Sequence, residues 1–391
     1  MTSVDLELLA ALCTPEGLAA LAAAAEVADG DPLAAATALR SRGLPPALAS
    51  AALTQADLRR RAAAKFGPAA GAMFFTRPGL EQATRAVVAD RRATRVRAAG
   101  VETLADLGCG LGSDALAAAR RGIRVYAVDA DPLTAALAAA NAEAAGLAHL
   151  VTVECADATG VPVEKFDAVF ADPARRRAGR GRVMDPRSWS PPWDFVAALP
   201  DRVPRTVLKL APGIDHALLP AGAEGEWVSV DGDLVEAAFW CGPLAEFARR
   251  AILLPSGAEL TGSGVAAAPV GPVGGFLYDP DPAVVRSHLV AEFAAAIGGR
   301  IADPDIAYVY TDAAVDTVFG RRLEITDVLP FSLKRLRALL RERGVGRLEI
   351  RKRGSALEPE QLRRDLRLSG TAAASLVLTR VAGAPTVLLC R

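Results

Sequence analysis

Between residues 101 and 240, short β-rich runs alternate regularly with Ala-rich helical runs. A strand, a helix and a further strand in succession are typical of parallel strands joined by crossover helices. The alternation therefore predicts an α/β fold with a mostly parallel, seven-stranded sheet and helices on both of its faces. The predicted strands are Thr103–Leu107, Arg124–Val128, Val151–Glu154, Phe166–Ala171, Thr206–Leu210, Trp227–Val230 and Leu234–Trp240.

The regions on either side of this alternation have different patterns. Residues 1–95 show only the helical spacing of apolar residues, whereas residues 276–391 mix helical and β-rich runs. A Gly/Pro-rich stretch at 251–275 is typical of a linker or of a set of hairpin turns. The sequence thus predicts an N-terminal helical domain (1–95), the α/β core (96–250), this turn-rich segment, and a C-terminal α+β domain (276–391) whose first helix covers Pro282–Ile297.

Composition narrows the functions open to such a chain. Of its 391 residues 51% are hydrophobic, and 45 Lys and Arg balance 45 Asp and Glu, which excludes intrinsic disorder and a uniformly basic surface. The five Cys form no CxxC pair and the three His are far apart in sequence, so no metal site is expected. The acidic N-terminus and the short apolar runs argue against a targeting peptide and a membrane span, and we expect a cytoplasmic protein.

A glycine-rich loop, Asp106-Leu-Gly108-Cys-Gly110-Leu-Gly112, follows the first predicted strand and opens a helix. Glycines let a ligand approach the backbone and are expected to leave amide N–H groups free at the start of the helix. A nicotinamide dinucleotide would require the third glycine at position 113, and a triphosphate would require a Gly-Lys-Ser/Thr sequence, which the loop lacks. An Asp precedes and follows the loop, which suits a cationic ligand such as S-adenosylmethionine (SAM), with its sulfonium and ammonium groups.

Three further acidic residues stand where the next predicted strands end. Asp129 comes 21 residues after Gly108, at the end of the second strand, where a carboxylate can accept hydrogen bonds from both hydroxyls of a ribose. Asp157 follows the third strand, in place to read an adenine amino group, and Asp172 follows the fourth. Because ligands of open α/β sheets bind beyond the carboxyl ends of the strands, these side chains predict one shared cofactor site.

These motifs resemble those of the class I SAM-dependent methyltransferases. Over nearly its whole length the chain is also similar to the bacterial group of these enzymes that carries a C-terminal THUMP-like domain, in the phrases Phe74–Gln82, Asp172–Arg176, Leu329–Arg335 and Arg347–Gly354. The resemblance implies a Rossmann-like core, a C-terminal α+β domain similar to RNA-binding modules, and SAM as the cofactor. The cofactor-binding residues that it implies are Asp106, Gly108, Gly110, Gly112, Asp129, Asp157 and Asp172.

The segment after the fourth strand holds the residues expected beside the reacting atoms. Methyl transfer from SAM is an in-line displacement, so the protein chiefly has to position the nucleophile. Amino methyltransferases of nucleic acids have a motif resembling Asp/Asn-Pro-Pro-aromatic here, whereas this chain continues from Asp172 and Pro173 with Ala-Arg175. An Arg plane can also stack on a base or hold a phosphate. Lys209, on the fifth strand, is expected to pair with Asp172, which makes Asp172, Pro173, Arg175 and Lys209 the candidate catalytic residues.

Arginines are concentrated in two parts of the chain. Residues 175–187 hold six Arg and one Asp, and residues 321–367 hold 14 Lys and Arg against 7 Asp and Glu. Such clusters can bind phosphates, and the candidate substrate-binding residues are Arg176, Arg177, Arg335, Arg351 and Lys352. Because 40 of the 45 basic residues are Arg, a solvated surface in an Arg-biased chain is the alternative interpretation.

Three functions agree with these observations. The first is a SAM-dependent methyltransferase that acts on structured RNA, at a base of tRNA or rRNA, with the basic C-terminal domain docking the RNA. The second is a methyltransferase for a protein or a small molecule, in which that domain is structural. The third is a SAM-binding regulatory module without catalysis. The distribution of the basic residues favours the first.

Overall fold

The computed structural model describes residues 5–27, 31–173 and 189–391. By their internal contacts, the residues form two compact units. The first unit spans Met1–Leu210, Leu218–Ala223 and Ala238–Glu246, and the second spans Ala211–Ala217, Glu224–Ala237 and Phe247–Arg391. The N-terminal helices and the first strands thus belong to one unit. The domain boundaries expected from the sequence stay a prediction.

Six α-helices precede the first strand in the described part of the chain. They are α1 (Leu6–Leu12), α2 (Pro15–Val27), α3 (Pro32–Ser41), α4 (Pro46–Phe66), α5 (Arg77–Gln82) and α6 (Ala86–Ala98). Side-chain caps fix where several of them begin: Asp5 accepts a hydrogen bond from the Leu8 N–H, and Thr76 accepts one from the Gly79 N–H. Their buried faces share one hydrophobic core with the first strands.

Among the described residues no single helix has the length and apolar character to cross a bilayer, although α1 and α2, bent by 84° at their junction, pass that test as a pair by length and composition.

The first sheet begins after α6. Its strands are β1 (Thr103–Leu107), β2 (Arg124–Asp129), β3 (Val151–Cys155), β4 (Ala168–Ala171), β5 (Thr206–Leu210), β6 (Glu224–Val230), β7 (Asp233–Trp240), β8 (Arg249–Leu254) and β9 (Ala258–Gly262). The helices between them in sequence are α7 (Ser113–Arg120), α8 (Pro132–Ala144), α9 (Trp193–Ala197) and α10 (Leu199–Arg202). The strand order is β3-β2-β1-β4-β5-β7-β6-β8-β9. Strand β4 is buried along its whole length, as expected of a parallel strand that is covered on both faces.

The mostly parallel α/β sheet predicted from the sequence is confirmed. Strands β1 and β2, β1 and β4, β2 and β3, β4 and β5, and β6 and β8 pair in parallel. The sheet has nine strands because β8 and the antiparallel β9 extend the expected seven. They occupy the beginning of the stretch expected to be a linker or hairpin turns, and the buried apolar run Ala251–Leu254 explains why this part is a strand.

A second sheet lies entirely in the second unit. Its strands are β10 (Phe276–Pro280), β11 (Arg300–Ile301), β12 (Val309–Thr311), β13 (Gly320–Pro330), β14 (Val345–Lys352), β15 (Ala372–Val381) and β16 (Ala384–Cys390), in the order β11-β12-β10-β13-β16-β15-β14. The helices of this unit are α11 (Pro282–Arg286), α12 (Val290–Ala296), α13 (Leu333–Glu342) and α14 (Pro359–Leu366). Leu376 and Leu378 pack with α13 and α14, whereas Val377 joins a different core cluster, because alternate residues of a strand point to opposite faces.

The single helix predicted over Pro282–Ile297 is wrong, because two helices, α11 and α12, occupy this range. Between them His288 has φ = 63°, in the left-handed region that ends a right-handed helix. The His288 N–H donates to the Val285 carbonyl and the Leu289 N–H donates to the Val284 carbonyl. These two bonds form the Schellman motif, whose C′ position is most often glycine. The helical spacing of apolar residues continues past this point and therefore hides the break.

Candidate active site

The carboxyl ends of β1, β2 and β4 bring together the glycine loop and two of the predicted aspartates. Gly108, Gly110 and Gly112 all have positive φ, of 87°, 56° and 82°. A Cβ on Gly108 would lie 3.1 Å from the carbonyl oxygen of Asp172, so a side chain there would press on the backbone that follows β4. A Cβ on Gly110 would meet nothing within 4 Å, which leaves open space for a ligand against the backbone.

Four amide groups of this loop are already hydrogen-bonded. The N–H groups of Gly108 and Cys109 both donate to the Val128 carbonyl at 2.9 Å, and the Gly112 N–H donates to the Cys109 carbonyl. The Gly110 N–H donates to Oδ2 of Asp129 at 3.1 Å. The N–H groups at the start of α7, where the sequence predicts free amides, take no part in these bonds, and no side chain caps this helix.

Asp129 holds the glycine loop to the end of β2. While Oδ2 accepts from Gly110, Oδ1 accepts from the Asp131 N–H at 3.0 Å. Burial raises the pKa of the Asp129 carboxyl, the two backbone hydrogen bonds oppose that rise, and the charges of Asp131 and Asp172 add to it. Each oxygen keeps a lone pair for a further donor, as the predicted ribose contact requires.

Asp106 lies deeper than the other predicted acids. It is completely buried in β1, and neither of its carboxylate oxygens has a hydrogen-bond partner among the described residues. Burial raises the pKa of Asp106 well above its ordinary value, and the charges of Asp114 and Asp172 raise it further. Several acidic groups therefore share this end of the sheet, and a cation placed among them would relieve their mutual repulsion.

Asp172 and Lys209 form the ion pair expected from the sequence. Lys209 on β5 donates through Nζ to Oδ2 of Asp172, and their side chains are 11% and 34% exposed. The pair fixes a carboxylate at the mouth of the glycine loop, since the Asp172 N–H also donates to the Leu107 carbonyl at the end of β1. Pro173 follows and is buried.

The remaining predicted residues have different positions. Asp157 is exposed at the end of β3, where Oδ1 accepts from the N–H and the hydroxyl of Thr159; these bonds lower the pKa of its carboxyl. Its Oδ2 receives no hydrogen bond from the described residues and stays available to a ligand. Arg175, Arg176 and Arg177 lie outside the described residues. The other predicted contacts, Arg335, Arg351 and Lys352, belong to the second unit.

Two buried amides escaped the sequence analysis. Asn141 of α8 accepts a hydrogen bond from the Phe74 N–H at 2.7 Å and donates to the carbonyls of Phe74 and Leu111 at 3.2 and 3.0 Å. Gln55 of α4 binds both backbone groups of Phe75, at 2.7 and 2.9 Å. Asn141 thereby connects the glycine loop with the segment that precedes α5. A signal was present, because Asn has a low helix propensity and stands here in an Ala-rich helix.

Comparison with known proteins assigns the chain to a family. Residues 104–175 match a family described as a methyltransferase domain, residues 320–391 match a THUMP domain-like family, and residues 5–62 match a domain of unknown function. An uncharacterized SAM-dependent methyltransferase of Mycobacterium tuberculosis is 36% identical over 340 residues, which cover 83% of this chain and 90% of the relative. The chain belongs to the SAM-dependent methyltransferases. Its predicted cofactor and its resemblance to the group with a C-terminal THUMP-like domain are confirmed.

Two further similarities concern the fold and a part of the chain. The crystal structure of a protein from Porphyromonas gingivalis W83, named as a methyltransferase, superposes with a TM-score of 0.76 at 21% identity, covering 100% of this chain and 99% of that one. This likeness shows the same fold. The 23S rRNA (uracil(1939)-C(5))-methyltransferase RlmD of Acidithiobacillus ferrooxidans is 35% identical over 112 residues, which are 27% of this chain and 25% of that protein.

The residues at this end of the sheet fit SAM. Neighbouring carboxylates raise the pKa of Asp106 and of Asp129, and the positive charges of SAM would relieve this repulsion. The space beside Gly110 admits a ligand against the backbone. Asp129 would bind the ribose hydroxyls, and Oδ2 of Asp157 would read the adenine amino group. When bound, SAM supplies an activated methyl group. These residue roles stay predictions.

Replacing Asp129 by alanine should weaken SAM binding about 10- to 100-fold, because hydrogen bonds to a charged acceptor contribute about 1.5–3 kcal/mol and the Gly110 N–H also loses its acceptor. Calorimetric titration with SAM measures the change. The control is Asp131→Ala, which removes a carboxylate two residues away that caps α8 through the Thr134 N–H. The control should lower stability by about 1 kcal/mol and leave SAM affinity unchanged. Equal losses of affinity in both variants would contradict the role of Asp129.

Proposed function

We propose that this methyltransferase acts on structured RNA, at a base of a tRNA or an rRNA. The THUMP domain-like match at residues 320–391 and the partial similarity to an rRNA methyltransferase support the proposal. The observation that carries it is the set of exposed basic side chains on this domain that have no ion-pair partner in the described part of the chain. Because such cations can neutralise phosphates without first breaking an internal salt bridge, they form a suitable RNA contact surface.

The basic residues of the THUMP domain-like region fall into two groups, those with an ion-pair partner and those without one among the described residues. Arg351 pairs with Asp279 and Glu349, and Lys352 pairs with Glu358, so two of the three predicted contacts are already engaged. Arg335, the third, is exposed. Six exposed cations of this domain have no ion-pair partner among the described residues: Lys334, Arg335, Arg341, Arg347, Arg364 and Arg367. Three of the six are on α13, and they support an RNA surface on this helix more strongly than Arg351 or Lys352 does.

The site residues suggest how the acceptor would be held. A base nitrogen or carbon that attacks a methyl group must approach in line, and its proton leaves after or during the transfer. Asp172 accepts a hydrogen bond from Lys209 through Oδ2, so Oδ1 stays available to a donor on the acceptor. The ion pair fixes the orientation of this carboxylate. Asp172 would therefore orient the acceptor, and Lys209 would hold the carboxylate of Asp172 in place.

The decisive experiment is transfer of a radiolabelled methyl group from SAM into the RNA, protein and small-molecule fractions of the host. The proposal expects label in RNA, at nucleotides that are then identified by digestion and mass spectrometry. Label in protein or small molecules alone would instead establish the second function. Tight SAM binding with no label in any fraction would establish a regulatory module. Such a role in RNA modification also suits a cytoplasmic location, which is part of the proposal.

Removing free cations of α13 should reduce the salt dependence of RNA binding. For the double variant Lys334→Gln/Arg341→Gln, the slope of log K against log salt concentration should become shallower by about 1.5, because each phosphate contact contributes about 0.7–0.9 to it. Filter binding of total tRNA across a salt series measures the slope. The double variant Arg321→Gln/Arg322→Gln removes the same charge, but its guanidinium groups pair with Glu349 and Asp316. An equal change of slope in this control would place the RNA surface elsewhere.

A further inference from the structure

A three-ring aromatic stack in the second unit ends at the surface. The ring of Trp227 is fully buried, and the imidazole of His216 stacks on it with centroids 4.5 Å apart and planes 14° from parallel. His288 stacks on His216 in turn, at 4.0 Å and 10°. His288 is exposed, and its side chain contacts the described residues through this ring stack. The stack therefore presents a supported imidazole to solvent.

The support beneath His288 is rigid. The Pro212 carbonyl accepts hydrogen bonds from Nε1 of Trp227 at 3.1 Å and from Nε of Arg286 at 3.0 Å. Nη2 of Arg286 also donates to the Ile214 carbonyl at 3.0 Å. These bonds hold the turn that carries His216 to the strand and the helix that flank it. A ring held in this way loses little conformational entropy when a ligand stacks on it.

The backbone of His288 carries strain that its side chain does not relieve. Its φ of 63° is at the C′ position of the Schellman motif that ends α11. Glycine adopts this conformation freely, whereas a side chain there costs about 1 kcal/mol. The imidazole makes no hydrogen bond to the described residues that would offset this cost. Backbone strain of this kind is concentrated at functional sites.

Positive charge lies beside the stack. Burial is the largest cause that lowers the pKa of both imidazoles, and the charges of Arg249 and Arg286 lower it further. For His216 the charge of His288 adds to these causes, and the pKa falls to about 4. Both rings are therefore neutral at physiological pH, the state in which they stack without mutual repulsion. Arg286 is bound to backbone carbonyls, whereas Arg249 donates through Nη1 to the Ala248 carbonyl at 3.0 Å. Its Nε is buried and has no hydrogen-bond partner among the described residues, which leaves Nη2 to donate to an anion.

We propose that the outer face of His288 is a stacking site for an unpaired RNA base, with Arg249 contacting the phosphate beside that base. A flat ring with a guanidinium group nearby is a combination that recognises single-stranded nucleic acid, because stacking is sequence-tolerant and the cation contacts the phosphate backbone. This inference rests on the proposed RNA substrate. The cations of α13 would contact phosphates whether or not the bases are paired. The site at His288 would in addition bind unpaired nucleotides.

The test compares two substitutions at His288 by fluorescence anisotropy with a labelled single-stranded RNA and a duplex of the same sequence. His288→Gly removes the ring and the strain together, so thermal stability should be unchanged or higher while affinity for the single strand falls about 5- to 20-fold. His288→Phe keeps a stacking ring and should bind within about twofold of the unaltered protein. Duplex affinity should be the same in all three proteins, because paired bases are already stacked.

The outcomes separate this inference from the proposed function. Single-strand affinity of the glycine variant equal to that of the unaltered protein would overturn the stacking site while RNA binding itself stood. An equal fall in the glycine and phenylalanine variants would also overturn it, because it would show that the ring is not used for stacking. No RNA binding by the unaltered protein, together with no methyl label in RNA, would remove the proposed function on which the inference rests.

Discussion

Replacing Asp172 by alanine should slow methyl transfer about 100-fold and change the affinity for SAM less than tenfold. The carboxylate lies where β4 meets the glycine loop, and Lys209 fixes its orientation. Without it the acceptor loses the group that places its nucleophilic atom, and a displacement of about 1 Å in such a group costs about 10²-fold in rate. The initial rate of S-adenosylhomocysteine formation with the host RNA fraction measures the effect, and calorimetry gives the SAM affinity separately.

Two further variants separate the effect of the orientation of the Asp172 carboxylate from the effect of its charge. Asp172→Asn keeps an oxygen that can accept a hydrogen bond, so its loss of rate should be about tenfold, smaller than that of the alanine variant. Lys209→Met keeps the carboxylate but removes the ammonium that orients it, and it should also reduce the rate with little effect on SAM affinity. Full activity of Asp172→Ala would refute the assigned role. A Lys209→Met variant as active as the unaltered protein would show that the ion pair is purely structural.

The second large effect is expected at Asn141. Replacing it by alanine removes three buried hydrogen bonds and leaves the backbone groups of Phe74 and Leu111 unsatisfied. Because an unsatisfied buried polar group costs about 1–3 kcal/mol, the free energy of unfolding should fall by about 3–5 kcal/mol. SAM affinity should fall about tenfold as well, since the freed Leu111 carbonyl belongs to the glycine loop. Urea unfolding and calorimetric SAM titration measure the two effects.

Gln55→Ala is the matched control for this prediction. Gln55 is as completely buried as Asn141 and makes two hydrogen bonds to the backbone of the adjacent Phe75, but none to the glycine loop. Its replacement should lower stability by about 2–4 kcal/mol and leave the SAM affinity of the folded protein within about twofold of its original value. If both variants lost SAM affinity equally, the loss would be due to displacement of residues 74–75 and not to the missing bond between Asn141 and Leu111.

Local sequence patterns predicted the parts of this protein that depend on neighbours in the chain. Strand–helix alternation gave the parallel sheet, and the acids at the ends of strands gave Asp129 and Asp172, which the structure brings to the glycine loop. The pairing of Asp172 with Lys209 followed from the cost of burying a lone ammonium on a strand. Each of these inferences needs only the periodicity of an element and the direction in which parallel strands end.

Features that depend on distant residues were not predictable in this way. Arg351 forms an ion pair with Asp279, which is 72 residues away in sequence. A count of basic residues could therefore not show that Arg351 is paired and that Arg335, in the described part of the chain, is not. The N–H groups of Gly108 and Cys109 donate to the Val128 carbonyl on another strand, which the loop sequence does not show. The break at His288 depends on helix-end bonds that a non-glycine residue rarely allows.

The bonds of Asn141 also connect the cofactor site with the N-terminal helices. They join positions 74, 111 and 141, the outer two of which are 67 residues apart, so one side chain contacts both the glycine loop and the segment before α5. A ligand that binds only the folded arrangement stabilises it by mass action. We therefore expect bound SAM to protect the segment before α5 from local unfolding, although this segment lies 67 residues before Asn141 in the chain.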